Sequence, residues 1–262
     1  MKIAIILGTR PEIIKMDSVV KECEKRRIKF FVIHTNQHYT QEMDAVVFQN
    51  LGLPKPKYNL GVGSGIHGLQ TGKMLSAIED ALLKEKPTHA LVHGDTNTTL
   101  AGALAARKLN IPVGHVEAGL RSFDQAMPEE VNRVLVDHMS DYLFAPTQTA
   151  KKNLLREGIP SKNIFITGNT VVDAIGNHQN IVEQNQKVFK EHGVTPKSYA
   201  LVTVHRPSNV DDKKAFRNIL TALASIHIKT KMPILYPIHP RSQKMMENFK
   251  ISAPAGVRLT SP

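Results

Sequence analysis

The chain has 262 residues, 41% hydrophobic and 22% charged, which is ordinary for a globular protein and long enough for one large domain or two smaller ones around a sizeable core. Its net charge of +11 raises nucleic acid as a partner, but the basic residues are dispersed (Lys21, Lys25, Arg26, Arg27; Lys84, Lys86; Lys151, Lys152; Lys213, Lys214), tryptophan is absent and no recognition motif occurs, so no nucleic-acid partner is expected. A single cysteine, Cys23, excludes an internal disulfide framework, and the opening MKIAIILG is too short for a secretory core or a membrane span; the expectation is a soluble, cytoplasmic chain with no membrane partner.

Apolar runs alternate with amphipathic stretches from the start. IAIIL (3–7) leads into a helix through PEIIKMDSVVKECEKRR, and FFVIH (30–34) into TQEMDAVVFQNLG. A loop rich in glycine and proline (52–65) precedes the helix HGLQTGKMLSAIEDALLKEK. ALVHG (90–94), PVGHVE (112–117), YLFAP (142–146) and NIFITGN (163–169) are each followed by a helical pattern, the last running to about residue 192. ALVTVH (200–205), MPILYPIHP (232–240) and GVRLT (256–260) open a second series. Continuous rather than alternating apolar strands, each followed by a helix, predict an α/β fold of doubly wound, Rossmann-like parallel sheets covered on both faces. Two domains are expected, an N-terminal one over residues 1–170 and the start of a second over 171–262.

Right-handed crossovers bring every strand's carboxyl end to one edge of a parallel sheet, where ligands bind. GTRPE (8–12), HGDT (93–96), HVEAGLR (115–121), TGN (167–169), HRPSN (205–209) and HPR (239–241) all fall at or just past such ends, which predicts a shared polar site. In GTRPE, Pro11 suits a first helical turn and Arg10 can fork onto phosphate oxygens. Glu117 and Arg121 lie at and just past the end of the apolar run PVGHVE (112–117), and Glu129–Glu130 begin the next helix. Carboxylates gathered with arginines at a strand end suit proton transfer beside an anionic substrate. His93 and Asp95, like His115 and Glu117, are two apart and are expected to share a strand face. These four groups also resemble a mixed metal site, but no HxH, HExxH or CxxC spacing supports one and the neighbouring arginines would oppose a cation, so no metal is expected. No GxxxxGK[ST] occurs, and the one GxGxxG, GSGIHG (63–68), overlaps the end of the glycine-rich loop instead of directly following an apolar strand, which disfavours a nicotinamide cofactor or a P-loop nucleotide.

GTRPE-x-x-K, HGDT, HVEAGLR, PEE-x-NR, FITGN and HR, in this order and spacing over residues 8 to 206, resemble the non-hydrolysing UDP-N-acetylglucosamine 2-epimerases. The resemblance implies two Rossmann-like domains facing across a cleft, as in GT-B glycosyltransferases, and a homodimer. It implies interconversion of UDP-GlcNAc and UDP-ManNAc for polysaccharide precursors, with no cofactor. The family's route eliminates UDP across C1–C2 to give an enzyme-bound 2-acetamidoglucal, then adds UDP back with a proton on the opposite face of C2. Carried over residue by residue, it puts acid–base work on Asp95, Glu117 and Glu129, and His205 near the diphosphate. Substrate binding falls to Arg10, Lys15, Arg121 and Arg206, with Arg121, Glu130 and Arg133 in supporting positions. An activator site, which bacterial members can carry, would match Gln37, His38, Gln70 and Lys73.

Two departures stand out. Ser208 occupies a place where many members carry a glutamate, and the chain stops at Pro262 where the family continues, so a truncated second domain, weak UDP binding and slow or absent turnover are expected. The alternatives are a non-catalytic sugar-nucleotide-binding fragment and a hydrolysing epimerase that releases sugar and UDP.

Overall fold

A computed structural model describes residues 1–37, 41–184 and 186–261. The chain divides into two compact units, Met1–Gln179 and Asn180–Pro262.

The first unit is built on seven strands: β1 (Lys2–Leu7), β2 (Lys29–His34), β3 (Tyr58–Asn59), β4 (His89–His93), β5 (Val113–Val116), β6 (Tyr142–Ala145) and β7 (Ile164–Ile166). They form one sheet in the order β3-β2-β1-β4-β5-β6-β7, with every neighbouring pair parallel. The chain winds outward from β1 to β3, then returns to the other side of β1 as β4. The switch point therefore lies between β1 and β4, where the following turns diverge and leave a crevice.

Six helices connect these strands, α1 (Arg10–Lys25), α2 (Gln41–Asn50), α3 (His67–Glu85), α4 (Asn97–Lys108), α5 (Pro128–Met139) and α6 (Gln148–Arg156), and α7 (Thr170–Gln184) follows β7. Successive residues of β1 are buried on opposite faces. Ile3, Ile5 and Leu7 pack with Ile13, Met16 and Val20 of α1 and Phe48 of α2. Ala4 and Ile6 pack with Met74, Ile78 and Leu82 of α3 and the alanines of α4. This double burial is why the strands read as unbroken apolar runs. Helix α4 lies especially close to the sheet, since a Cβ on Gly102 would sit 3.0 Å from Ile6 Cγ2 and 3.1 Å from Val92 Cγ1.

The second unit contains a parallel sheet in the order β10-β9-β8, from β8 (Ala200–Leu201), β9 (Ile234–Pro237) and β10 (Val257–Thr260). Its helices are α8 (Lys187–Glu191), α9 (Pro207–Val210), α10 (Lys213–Thr230) and α11 (Pro240–Phe249). Phe216, Leu220, Ile234 and Tyr236 form its core, and the Tyr236 hydroxyl donates to Val204 O at 2.6 Å. Among the described residues no helix is long and apolar enough to cross a membrane.

Three details differ from the sequence expectation. The loop at 52–65 contains the edge strand β3, whose two residues are too few to show a period. The run at 200–205 forms a strand only over Ala200–Leu201, with one further backbone bond, Val202 N to Leu235 O at 2.9 Å. The long helical stretch is two helices, α7 and α8, and the division between units falls inside α7.

Glu85 fastens the far end of the first sheet. Its carboxylate accepts from Lys2 Nζ at 2.7 Å and Tyr58 OH at 2.8 Å, and pairs with Lys57 Nζ at 2.6 Å. These three bonds hold its pKa down to about 2 from 4.5. A carboxyl group held low in the folded state contributes stability above its unfolded pKa and loses it as pH falls through the folded one. Between pH 4.5 and 2 the parent chain should therefore lose stability faster than Glu85→Gln, measured by urea unfolding at stepped pH; equal slopes would discount the clasp.

Candidate active site

Two turns at the switch point carry the carboxylates. β4 ends at His93, and Gly94 follows with φ 72°, a left-handed conformation that glycine adopts without strain, so that Asp95 leaves the strand line. β5 ends at Val116, and Glu117 itself takes φ 75°. A non-glycine residue held there is strained and needs its surroundings to fix it. Backbone bonds do so: Glu117 N and Ala118 N both donate to Phe144 O at 3.1 Å, and Gly94 N donates to Val116 O at 3.0 Å.

The left-handed turn at Glu117 breaks the period-two alternation, so the expectation that His115 and Glu117 share a face is corrected. Glu117 Oε2 accepts from Lys15 Nζ of α1 at 2.7 Å and lies 3.8 Å from His93 Nε2. The His115 ring turns instead to α5 and β4. Its Nδ1 lies 2.7 Å from Asp137 Oδ1 and its Nε2 2.8 Å from Gly94 O. Asp95 pairs with Arg133 of α5, whose NH2 donates to Asp95 Oδ2, and Asn132 Nδ2 donates to Asp95 O at 2.9 Å. Among the described residues no group of three or more His, Cys, Asp or Glu side chains is arranged to hold a metal ion.

Arg121, expected at the substrate, is occupied inside the protein. Its side chain is 1% exposed, with NH1 2.8 Å from Asp137 Oδ2 and NH2 2.5 Å from Glu157 Oε2. Nε donates to Glu157 Oε1 at 2.8 Å. Asp137 also accepts from Gly119 N at 3.1 Å. Burial alone would raise the Asp137 pKa, but the charge and hydrogen bonds of His115 and Arg121 hold it below the ordinary value.

Glu129 is exposed at the start of α5, with no hydrogen bond or ion pair among the described residues. Glu130, beside it, is buried. It accepts from Ser122 N at 3.0 Å and Phe123 N at 2.9 Å, and Arg133 NH1 lies 3.3 Å away. Arg10 is half-exposed at the start of α1, with Nε 4.0 Å from Asp44 Oδ1. In the second unit His205 and Arg206 are exposed just past the strand run, and the His205 ring stacks on His239 with centroids 5.1 Å apart.

Of the residues matched to an activator site, Gln37 and Gln70 meet. Gln70 Nε2 donates to Gly63 O at 2.7 Å and Gln37 O at 3.1 Å, and its Oε1 accepts from Asn97 Nδ2 at 2.8 Å. Gln37 Oε1 accepts from Thr98 N at 3.2 Å and Thr98 Oγ1 at 2.9 Å. Both amides tie loops together, so a ligand here would compete with those bonds. Lys73 is exposed, and His38 lies outside the described residues.

Sequence reasoning missed Glu12, Asp137 and Glu157. Glu12 had a signal, the Thr9-x-x-Glu12 capping box. Its Oε2 accepts from Gly8 N at 2.6 Å and Thr9 N at 2.9 Å, and its Oε1 accepts from Thr96 Oγ1 at 2.6 Å, joining the turns after β1 and β4. Asp137 and Glu157 offered none, because their partners lie 16 to 36 positions away and only the fold brings them together. Replacing Arg121 with Met leaves Asp137 and Glu157 without their shared cation. The expected loss is about 3–5 kcal/mol in urea unfolding, partly recovered by Arg121→Lys; a loss under about 1 kcal/mol would show that the pair contributes no more than a surface ion pair.

Comparison with known proteins places this geometry in a family. The family model described as UDP-N-acetylglucosamine 2-epimerase matches residues 21–262. The UDP-N-acetylglucosamine 2-epimerase of Methanocaldococcus jannaschii is 54% identical over 253 residues, 96% of this chain and 69% of that protein. The enzyme of the same name from Methanococcus maripaludis is 55% identical over 250 residues, 95% of this chain and 68% of that protein. The crystal structure of the Methanocaldococcus jannaschii enzyme in complex with UDP-GlcNAc and UDP superimposes with a TM-score of 0.92 at 52% identity, covering 100% of this chain and 74% of that one. With a family match over most of its length and relatives at this identity, the chain belongs to the UDP-N-acetylglucosamine 2-epimerase family, a family of isomerases.

Proposed function

We propose that the chain interconverts UDP-GlcNAc and UDP-ManNAc by eliminating and re-adding UDP. The observation that carries this reading is the pair of carboxylate–cation couples, Lys15–Glu117 and Arg133–Asp95, on adjacent turns at the switch point of the first sheet. The sugar C2 hydrogen is not acidic enough for simple deprotonation, so inversion needs a leaving group at C1. One carboxylate takes the C2 proton as the C1–O bond to UDP breaks, giving 2-acetamidoglucal and UDP. Return of a proton to the other face of C2, with UDP oxygen re-forming the bond at C1, yields the epimer. The two steps balance without an oxidant or reductant.

Glu117 is assigned to one proton transfer. It is nearly enclosed, at 11% side-chain exposure, and has Lys15 as its only hydrogen-bond donor among the described residues. Asp95, 30% exposed beside Arg133, and Glu129 are the candidates for the other face. Arg10 and Lys15 are assigned to phosphate oxygens, where guanidinium and ammonium groups stabilise the charge that develops on the departing diphosphate. His205 and Arg206 are assigned to UDP on the second unit. Arg121 and Glu130 act by holding the turns, because their polar atoms are already engaged inside the protein.

Proton NMR of the chain with UDP-GlcNAc in deuterated water tests the reading. Deuterium at C2 of both sugars together with UDP-ManNAc is expected, and Glu117→Gln should lower its rate by about 10²-fold or more. Free sugar plus UDP would replace the reading with a hydrolysing epimerase. No change in the sugar would leave a binding fragment, and parent turnover by Glu117→Gln would remove Glu117 from proton transfer.

A further inference from the structure

His93 closes β4 directly beneath the Lys15–Glu117 pair, and nothing in the reaction just described uses it. It is 2% exposed, yet among the described residues neither Nδ1 nor Nε2 has a hydrogen-bond partner. A buried ring with both polar atoms unmatched is costly, and natural cores rarely keep one without a purpose. The strand end that carries the ring is fixed. Its backbone pairs in register with Val116, and His93 O accepts from Thr99 Oγ1 at 2.6 Å. The nearest charged oxygen is Glu117 Oε2, 3.8 Å from Nε2, the same oxygen that Lys15 Nζ occupies at 2.7 Å.

The distances place His93 second in line for that oxygen. At 3.8 Å it falls just outside hydrogen-bond range, held off while the ammonium group is closer. Lys15 reaches Glu117 on a long flexible stem from α1, whereas His93 is fixed to the central sheet. A phosphate group drawing Lys15 away would leave Glu117 Oε2 open to the imidazole. We propose that His93 is the alternative partner of Glu117, donating Nε2–H to the carboxylate when Lys15 turns to the substrate diphosphate, and is thus a positioning residue for proton transfer. This rests on the assignment of Glu117 in the preceding section.

The charged or titratable groups facing His93 are Lys15 from α1, Glu117 from the turn after β5 and His115 from β5. Burial first, then Lys15 and His115, press the His93 pKa down to about 3, so the ring is neutral at physiological pH. A neutral ring donates from one nitrogen only and keeps its proton. Exchanging a cation for a neutral donor holds the carboxylate in place when a diphosphate has engaged Lys15.

Nitrogen-15 NMR of the histidine-labelled chain tests this without requiring turnover. In the parent chain the His93 ring should not titrate between pH 5 and 8. In Lys15→Met it loses a repelling cation and gains an unpaired anion, both favouring the imidazolium, so its titration should move up into that window. In Lys15→Met/Glu117→Gln it should move back down. A silent His93 in Lys15→Met overturns the proposal, and so does equal titration in the single and double variants, which would make Lys15 repulsion the whole effect. The rate of C2 deuteration adds a functional reading. His93→Phe should lower kcat about 10-fold with KM unchanged, and His93→Gln, which keeps a donor near Nε2, should recover most of it. If Glu117→Gln turns over at the parent rate, the Glu117 assignment itself falls. If Glu117→Gln is inactive while Lys15→Met leaves His93 silent, only the role of His93 falls.

Discussion

The contact between His115 and Asp137, at the centre of the first sheet's active edge, is the constraint on which the surrounding turns depend. Both residues are completely buried. One ring nitrogen meets the carbonyl of Gly94 and the other meets Asp137. Through its second oxygen Asp137 holds the amide of Gly119 and the guanidinium of Arg121. The turn bearing Asp95 and the turn bearing Glu117 are thereby fastened to one side chain of α5. In a dry interior such a network is either fully matched or strongly destabilising. The cost of disturbing any member keeps both carboxylates in register.

A second tie works from the other side. Glu12 spans the turns after β1 and β4 by accepting from Gly8, Thr9, Thr96 and Thr99. Burial pushes its pKa up while the bonds from Thr96, Gly8 and Thr9 pull against that push. Further out, Asn132 bonds to Asp95 O and Asn97, and Asn97 bonds to Gln70. The crevice at the switch point is thus lined by groups whose own bonds run inward to the scaffold, leaving Lys15, Glu117, Asp95 and Arg10 as the charged groups nearest its opening.

Much of this was legible before any coordinates. Strands buried on both faces announce themselves as unbroken apolar runs, so the parallel sheet and the edge carrying the polar clusters followed from IAIIL, FFVIH and ALVHG. Residue identity at that edge was legible as chemistry, but the direction of each side chain was not. The period-two rule put His115 and Glu117 on one face, whereas a single left-handed residue at 117 sends them to α5 and α1. Arg121 read as a substrate ligand because arginine beside a carboxylate suggests an anion; its true partners, Asp137 and Glu157, become neighbours only after folding. Gln37 and Gln70 were matched to an activator site, and the sequence cannot show that backbone groups 7 to 61 positions distant would claim their side chains. β3 escaped, and the run at 200–205 read longer than the strand it forms, because two-residue ladders are decided by the neighbouring strand rather than by their own pattern.

The position of β1 has a consequence for synthesis. It is made well before β4, yet it lies in the interior of the sheet, and the partner on its far side begins with the pairing of Ile3 to His89. At about 5–20 residues per second, roughly 4–17 s separate the appearance of these two residues. Throughout that interval one edge of an isoleucine-rich strand has no native partner, a template for pairing with other chains. The nascent protein is therefore most prone to aggregation, and most dependent on a chaperone, while α3 and β4 are still being made.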